Sequence, residues 1–222
     1  MFSEEDKKKT IDRYTKRFND FGYSPKAVGW GEKGKQNLRF EVLANYFPLE
    51  NMSILDIGAG FGDLYKYLAT SKIKSYHGFD LVESLVVKGN ELYGSNENFK
   101  LTLGDFSETI LHEVFDVCLI SGLFNFKLVG GNNYDFITSI ITKAFANCKV
   151  GLAANFITDR VDYHEELIFN SKPEIILGIA LGLTKNVTLR NDYFPFEFSV
   201  FLNKDESFSK EDTVFNTYKY GR

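Results

Sequence analysis

Apolar and polar positions follow two periods along this chain, and the two periods alternate. Short apolar runs predict strands near residues 53–57, 75–79, 99–103, 115–120, 149–156, 187–190 and 197–202. Apolar residues at helical spacing predict helices near residues 62–70, 83–93, 107–112, 134–147 and 173–182. Short buried strands separated by helices are typical of a parallel sheet with helices on both faces. The pattern therefore predicts an α/β fold with three layers.

The N-terminal part of the chain has a different pattern, in which helical spacing occurs without strands. It predicts one amphipathic helix over residues 3–20 and a second over 36–46. We expect residues 1–47 to form a helical cap on a core of residues 48–222, the two together making one domain. The polar tail after Asn203 is expected to be irregular.

A glycine turn follows the first predicted strand of the core. The apolar run that contains Asp56 breaks at Gly58-Ala59-Gly60, and a helical pattern begins shortly afterwards. This predicts a buried strand, a tight turn and a helix that opens toward a ligand. Gly58 and Gly60 let the backbone approach a ligand that a Cβ would exclude. The spacing is Gly-x-Gly-x-Gly, which differs from the dinucleotide fingerprint.

Polar groups stand at the ends of the next three predicted strands. Asp80 is the last residue of the second strand, and Leu81 comes next. Asp105 and Phe106 follow the third strand, and Ser121 follows the fourth. In a doubly wound sheet, the acid that ends the second strand can accept hydrogen bonds from both ribose hydroxyls. That interaction fits adenosine equally in a methyl donor or in NAD.

Composition narrows the class of partner. The 222 residues carry a net charge of −4, so no basic field would attract nucleic acid, and 44% hydrophobic residues can bury a substantial core. Cys118 and Cys148 lie in or beside apolar runs, which indicates two buried thiols in a reducing compartment. The polar start and the lack of a long apolar run predict a cytoplasmic protein that does not bind membranes.

Taken in order, the glycine turn, Asp80 and Asp105 resemble the motifs of class I S-adenosylmethionine-dependent methyltransferases. The chain also resembles a bacterial subgroup of these enzymes that acts in small-molecule or surface-glycan pathways. The resemblance lies in segments 24–30, 38–40, 124–126, 151–159, 189–193 and 197–200. The resemblance implies a Rossmann-like sheet of seven strands in the order 3-2-1-4-5-7-6, with strand 7 antiparallel. The donor, and its product S-adenosylhomocysteine, would lie across the carboxyl ends of strands 1 and 4. Asp105 would contact the adenine amino group.

The residues expected to surround the donor come from the strand ends and from the cap. They are Asp56, Gly58, Ala59, Gly60, Asp80, Leu81, Asp105, Phe106 and Ser121, with Trp30 and Arg39 from the cap. The guanidinium of Arg39 suits the carboxylate of the donor's methionine part, although a surface salt bridge is the alternative. Trp30 either closes over the cofactor or fastens the N-terminal segment to the core.

A hydroxyl acceptor would benefit from a general base, and histidine is the best suited side chain near neutral pH. Of the three histidines, His77 is expected in the core and His112 in solvent. His164 follows the fifth strand at the ligand-binding edge, so it is the candidate base, or otherwise an ordinary polar loop residue. The subgroup commonly has a histidine where this chain has Asn191, which weakens any role for a base there.

Four further residues are candidates for the acceptor side. Phe124 and Asn125 follow the fourth strand and would lie near the reacting methyl group. Asp192 and Tyr193 follow the sixth strand and could meet the substrate, or Tyr193 could simply pack in a corner.

The resulting hypothesis is a methyltransferase that acts on a hydroxyl or amine of a small molecule or glycan precursor, as a monomer or homodimer. Two alternatives remain, which are a non-catalytic donor-binding subunit and an NAD-dependent reductase. The Asp/Asn-Pro-Pro-Tyr segment of DNA amino-methyltransferases and the Pro-Cys of the cytosine C5 enzymes are both missing. Zinc spacings are absent and Ser121 replaces a carboxylate that metal-dependent O-methyltransferases need, so no metal is expected.

Overall fold

The computed structural model describes residues 2–31 and 33–220, and its centre is one sheet of seven strands. The strands are β1 (Ser53–Ile57), β2 (Ser75–Asp80), β3 (Phe99–Leu103), β4 (Phe115–Ile120), β5 (Cys148–Ile157), β6 (Val187–Arg190) and β7 (Glu197–Asn203). They lie in the order 3-2-1-4-5-7-6. The first five are mutually parallel, and β7 is antiparallel to both β5 and β6. The predicted fold class and strand order are confirmed.

Helices cover both faces of the sheet. They are α1 (Glu4–Phe21), α2 (Lys33–Ala44), α3 (Asp63–Tyr67), α4 (Glu83–Tyr93), α5 (Asn133–Ala146), α6 (Pro173–Leu181) and α7 (Asn216–Lys219). On one face, α5 and α6 bury apolar side chains such as Ile137 and Ile176 against the sheet. On the other face, α2, α3 and α4 bury Leu43, Leu64 and Val86. The burial of β1 and β4 is nearly continuous because these strands are covered on both sides, whereas the edge strand β3 alternates between buried and more exposed positions.

Helix α1 lies outside these two layers. Its start is capped by Ser3, whose Oγ accepts a hydrogen bond from the Asp6 N–H at 3.1 Å. Its apolar stripe, including Tyr14 and Phe18, packs on a separate cluster built around Phe61. Phe61 follows the glycine turn, so α1 is held at the carboxyl edge of the sheet. The division into a cap and a core at residue 47 stays a prediction.

The predicted helix over residues 107–112 is wrong, because that segment forms a turn followed by irregular chain. Three carbonyls that a helix would use internally, those of Phe106, Ser107 and Thr109, instead accept hydrogen bonds from Lys143 of α5. Two smaller differences concern the other helices. The helix predicted over 62–70 divides into α3 and a 3-10 turn at Leu68–Ser71, and the tail contains the short helix α7.

Both cysteines are buried and free, as the sequence predicted. Burial raises the pKa of the Cys118 thiol well above its ordinary value. Among the described residues, no helix combines the length and the apolar character that crossing a membrane requires.

The packing of α4 on the glycine turn gives a test of the fold. A Cβ on Gly89 would clash with the Phe61 carbonyl oxygen and lie 2.5 Å from Leu101 Cδ2. We expect Gly89→Ala to lower the free energy of unfolding by about 1–3 kcal/mol, although alanine is the better helix former. Urea unfolding measures this change.

The matched control is Gly178→Ala in α6, where a Cβ would meet nothing within 4 Å. This variant should gain about 0.4–1 kcal/mol from helix propensity and from the restricted unfolded chain. A Gly89→Ala protein as stable as the control would contradict the close approach of α4 to the turn.

Candidate active site

A cavity lies at the carboxyl ends of β1 to β4, beneath α1, α2 and the loop between them. Strand order reverses between β1 and β4, which is the position where open α/β sheets bind ligands. Ten of the residues predicted to bind the donor line its wall, namely Trp30, Asp56, Gly58, Ala59, Gly60, Asp80, Leu81, Asp105, Phe106 and Ser121. The fold therefore brings together residues that are far apart in the sequence, and their role in binding stays a prediction.

The glycine turn is tied to the neighbouring strand β2. The N–H groups of Gly58 and Ala59 donate to the Phe79 carbonyl at 2.9 and 3.0 Å, and the Gly60 N–H donates to Asp80 Oδ2 at 2.7 Å. Gly58 and Gly60 have φ values of +75° and +57°, a region that side chains disfavour. The turn thus depends on glycine for its backbone shape as well as for access to the cavity.

Asp80 joins the turn to the start of α4. Its second carboxylate oxygen, Oδ1, accepts the Val82 N–H at 2.9 Å. Burial raises the pKa of Asp80, and the hydrogen bonds from Val82 and Gly60 act in the opposite direction. Each carboxylate oxygen has two lone pairs, so both oxygens can still accept a hydroxyl from a ligand in the cavity.

Asp105 lies at the end of β3 and is engaged on both oxygens. Oδ1 accepts the Ser107 N–H at 2.8 Å, and Oδ2 lies 3.0 Å from Lys7 Nζ of α1. Lys7 also pairs with Glu108 and Glu4, and these hydrogen bonds raise its pKa despite burial. An ion pair therefore holds α1 over this end of the cavity.

A second contact holds the start of α1. The buried carboxylate of Asp6 accepts the N–H groups of Val129 and Gly130 at 2.7 and 3.2 Å. It also accepts the Ser3 hydroxyl at 2.6 Å. These hydrogen bonds join α1 to the loop after β4, so the helix spans the cavity between β3 and β4.

Asp56 is the most deeply buried acid of the wall, at 3% exposure. Its Oδ2 accepts the Tyr76 hydroxyl at 2.6 Å. Burial raises the pKa of Asp56 to about 7, although the bond from Tyr76 acts to lower it. The carboxyl group therefore changes its charge within the physiological pH range.

The charged side chains of the wall all have one sign. Four aspartates line the cavity, and they are Asp56, Asp63, Asp80 and Asp105. Among the wall residues whose side chains the structure describes, no lysine, arginine or histidine occurs. The cavity is therefore suited to a cation and unfavourable for an anion.

Arg39 does not line the cavity, and the expectation that it binds a carboxylate of the donor stays a prediction. It is buried and forms a two-pronged ion pair with Glu197, in which Nε lies 2.7 Å from Oε2. Its guanidinium stacks 4.1 Å from the centre of the Trp30 ring. Trp30 in turn packs so closely on Gly122 that a Cβ there would lie 2.5 Å from Trp30 Cζ2. Arg39 thus supports the cavity wall from behind.

The predicted base, His164, does not reach the cavity. It lies on the expected edge of the sheet, in the loop after β5, but its side chain is exposed. Its Nδ1 is 3.3 Å from Asn170 Oδ1, and Asn170 is anchored to the Thr158 carbonyl. His77 is buried between Thr102 and Glu113, as expected for a core histidine, and His112 is exposed.

The four predicted acceptor residues also lie outside the cavity wall. Phe124 is fully buried and stacks on Phe156 with ring centres 5.2 Å apart. The Asn125 side chain accepts the Ile157 N–H at 3.2 Å and so serves the backbone. These contacts give both residues a structural position in the core.

Asp192 and Tyr193 are likewise engaged with the protein itself. Asp192 is exposed and pairs with Arg190 at 2.7 Å. The Tyr193 hydroxyl shares a 2.8 Å hydrogen bond with Ser199, and burial raises the pKa of Tyr193. Of the residues expected near the acceptor or over the cofactor, Trp30 lines the cavity, whereas Asn125, His164 and Tyr193 do not.

Two wall residues that sequence reasoning missed come from α1 and α2. Tyr14 lies on the apolar stripe of α1, where the sequence predicted only an amphipathic helix, yet it lines the cavity. Gln36 is 7% exposed, lines the cavity and has no side-chain hydrogen bond to the described residues. A polar Gln36 one turn before the apolar Phe40, on the same helix face, was the available signal.

No protein-family model and no curated protein matches this sequence. Solved structures with the same fold include magnesium protoporphyrin IX methyltransferase from Synechocystis PCC 6803 with bound S-adenosylhomocysteine (13% identity, TM-score 0.65, covering 89% of this chain and 98% of that one). A second is the CcbJ methyltransferase from Streptomyces caelestis (13% identity, TM-score 0.64, covering 86% of this chain and 98% of that one). A third is DhpI in complex with S-adenosylhomocysteine (9% identity, TM-score 0.65, covering 88% of this chain and 95% of that one). The chain has the fold of the S-adenosylmethionine-dependent methyltransferases.

The burial of Asp56 predicts how stability depends on pH. Its pKa is about 7 in the folded protein against an ordinary value of 3.8, so the folded state holds the proton more tightly than the unfolded chain. Raising the pH through this window therefore removes stability, by at most about 1.4 kcal/mol per pH unit. We expect Asp56→Asn to be more stable than the native protein at about pH 8 and to show a flatter profile.

Urea unfolding from about pH 4 to about pH 8 measures both profiles. Asp12→Asn, which changes an exposed carboxylate of α1, is the control and should keep the native profile. Parallel profiles for Asp56→Asn and the native protein would contradict the raised pKa of Asp56.

Proposed function

We propose that this protein is an S-adenosylmethionine-dependent methyltransferase that acts on a small molecule. One observation carries the proposal. The Asp80 carboxylate, at the end of β2, faces the cavity while it accepts the Gly60 N–H of the glycine turn. This hydrogen bond joins a carboxylate that can accept the ribose hydroxyls to a glycine turn whose backbone a ligand can approach closely.

The wall offers a partner for each part of the donor. Asp80 suits the ribose, and the apolar Leu81 and Phe106 beside Asp105 suit the adenine at the β3 end. Asp56 and Gln36, toward β1 and β4, suit the amino-acid end, where a carboxylate and an amide can hold an ammonium and a carboxylate. Ser121 Oγ is buried in this wall without a hydrogen-bond partner among the described residues.

The charge of the wall favours this donor. When bound, S-adenosylmethionine supplies a methyl group on a positively charged sulfonium, whose leaving sulfur is already activated. The carboxylates of Asp56, Asp63 and Asp80, which form no ion pair with the described residues, attract a cationic donor, and they hold a neutral product less strongly. What the protein must add is proximity and alignment, which α1, α2 and Trp30 provide by enclosing the cavity.

Among the described residues of the cavity wall there is no basic side chain, and this affects which methyl acceptor can react. Neither His164 nor another histidine or lysine reaches the cavity, so a hydroxyl acceptor would lack the usual general base. An amine needs only a route for its proton. We therefore favour an amine, which reacts in its neutral form, as acceptor over an ordinary alcohol. The bacterial subgroup, the pathway and a cytoplasmic location remain proposals that rest on the sequence resemblance.

Ligand titration tests the proposal directly. We expect S-adenosylhomocysteine and S-adenosylmethionine to bind in calorimetry and NAD not to bind. Asp80→Ala should weaken both adenosyl ligands by about 2–4 kcal/mol, because charge-assisted hydrogen bonds to the ribose are lost. Asp192→Ala removes an exposed carboxylate outside the cavity and should leave the affinities unchanged.

Binding of NAD alone by the native protein would refute the proposed function. Equal affinities for Asp80→Ala and the native protein would instead remove Asp80 from the site.

Gln36 gives a second prediction, about the amino-acid end of the donor. We expect Gln36→Leu to weaken S-adenosylhomocysteine about tenfold, because leucine keeps the volume but loses the amide. 5′-Methylthioadenosine lacks the amino-acid end, so its affinity should stay unchanged in the same variant. Asn37→Leu, at the exposed neighbouring position of α2, is the matched control.

Calorimetry with both ligands separates the possible roles of Gln36. Equal losses for the two ligands would show that Gln36 only shapes the wall. No loss for either ligand would exclude it from the binding site.

A further inference from the structure

The amine of Lys143 occupies a nest of backbone carbonyls behind the β3 end of the cavity. Lys143 lies on α5, and its Nζ donates to the carbonyls of Phe106, Thr109 and Ser107 at 2.6, 2.6 and 3.0 Å. The same Nζ lies 5.0 Å from the centre of the Phe106 ring. All three donor positions of the ammonium are thus directed at one short segment.

Only the first turn of this segment is held by its own backbone, where the Asp105 carbonyl accepts the N–H groups of Glu108 and Thr109 at 3.1 and 3.0 Å. Its carbonyls converge on one point, and such an arrangement of like dipoles requires a cation between them. Burial lowers the pKa of Lys143, and the negative charge of Asp105 opposes that change. The local bonds within the segment run to Asp105, whose side chain accepts the Ser107 N–H and whose carbonyl accepts the Thr109 hydroxyl.

The segment carries part of the cavity wall on its other side. Asp105 and Phe106 both line the cavity, whereas Lys143 does not. Phe106 is 4% exposed and packs edge-on against Phe79 with ring centres 5.8 Å apart. A movement of the 106–109 backbone would therefore displace the Phe106 ring and the Asp105 carboxylate together.

We propose that Lys143 is a positioning residue, an internal cation that sets the wall against which the nucleobase of the donor is recognised. This inference rests on the proposed function, since it assumes an adenine-containing ligand in the cavity. Lys143 acts through its positive charge and the position of that charge, so it does not need to contact the ligand. The lysine also replaces, for this segment, the helical hydrogen bonds that the local sequence would otherwise support.

Chemical rescue tests the role of the cation. Lys143→Ala removes three methylenes and the ammonium, and n-propylammonium has the same atoms. We expect the variant to bind S-adenosylhomocysteine about tenfold more weakly than the native protein. Added n-propylammonium should restore most of the affinity in a saturable way, because Lys143 is only partly buried and its site can be entered. n-Propanol, which is neutral, should not restore it.

A second measurement reads the position of the wall itself. The native protein should prefer S-adenosylhomocysteine to its inosine analogue, which lacks the amino group that Asp105 would contact under the proposed function. Lys143→Ala should reduce this preference, and n-propylammonium should return it. Lys149→Ala, at an exposed lysine near the start of β5, should show native affinity and preference with or without the amine.

The outcomes distinguish this inference from the proposed function. If the native protein binds no adenosyl ligand, both the proposed function and the proposed role of Lys143 are refuted. If it binds and Lys143→Ala, shown to be folded by circular dichroism, binds equally well, only the inference falls. Weakened binding that n-propylammonium does not restore, with the preference for adenine intact, would likewise overturn it.

Discussion

The hydrogen bond from the Gly60 N–H to Asp80 fixes the relative position of two strand ends, and the cavity depends on it. Because the same carboxylate also accepts the Val82 N–H, it joins the glycine turn, β2 and the start of α4 at one point. The contact is charge-assisted and partly buried, so it is stronger than a fully exposed one. It holds the carboxylate in place without a cation, which leaves the lone pairs of that carboxylate available to a ligand.

Three of the cations near the cavity are directed at oxygen atoms of the protein behind the wall. Lys7 pairs with Asp105 and Glu108, Arg39 pairs with Glu197, and Lys143 binds backbone carbonyls. Their charges are therefore compensated where they support the structure, while Asp56, Asp63 and Asp80 face inward. The result is a cavity of one sign inside a chain whose net charge is only −4. Such a field selects for a cationic ligand before any specific contact forms.

The strands and most helices could be predicted from the sequence because their signals are local. Each strand is a short apolar run, and the acids at the strand ends meet because parallel strands place their carboxyl ends at one edge. The helix predicted over 107–112 failed because the competing partner, Lys143, lies more than 30 residues further along the chain. The partner of Arg39 could not be located for the same reason, since Glu197 is 158 residues away. Pairings of this range leave no periodic trace in the sequence.

The acceptor side was harder to predict than the donor side because loops govern it. The position of His164 after β5 places it on the correct edge, but Asn170 and the Thr158 carbonyl hold that loop so that the histidine faces solvent. The residues that do close the cavity come from α1 and α2, where Tyr14 and Gln36 follow an ordinary amphipathic pattern. A helix that covers a cavity and a helix that covers a core present the same apolar face. The difference lies only in what stands opposite that face, and the arrangement of the whole chain decides it.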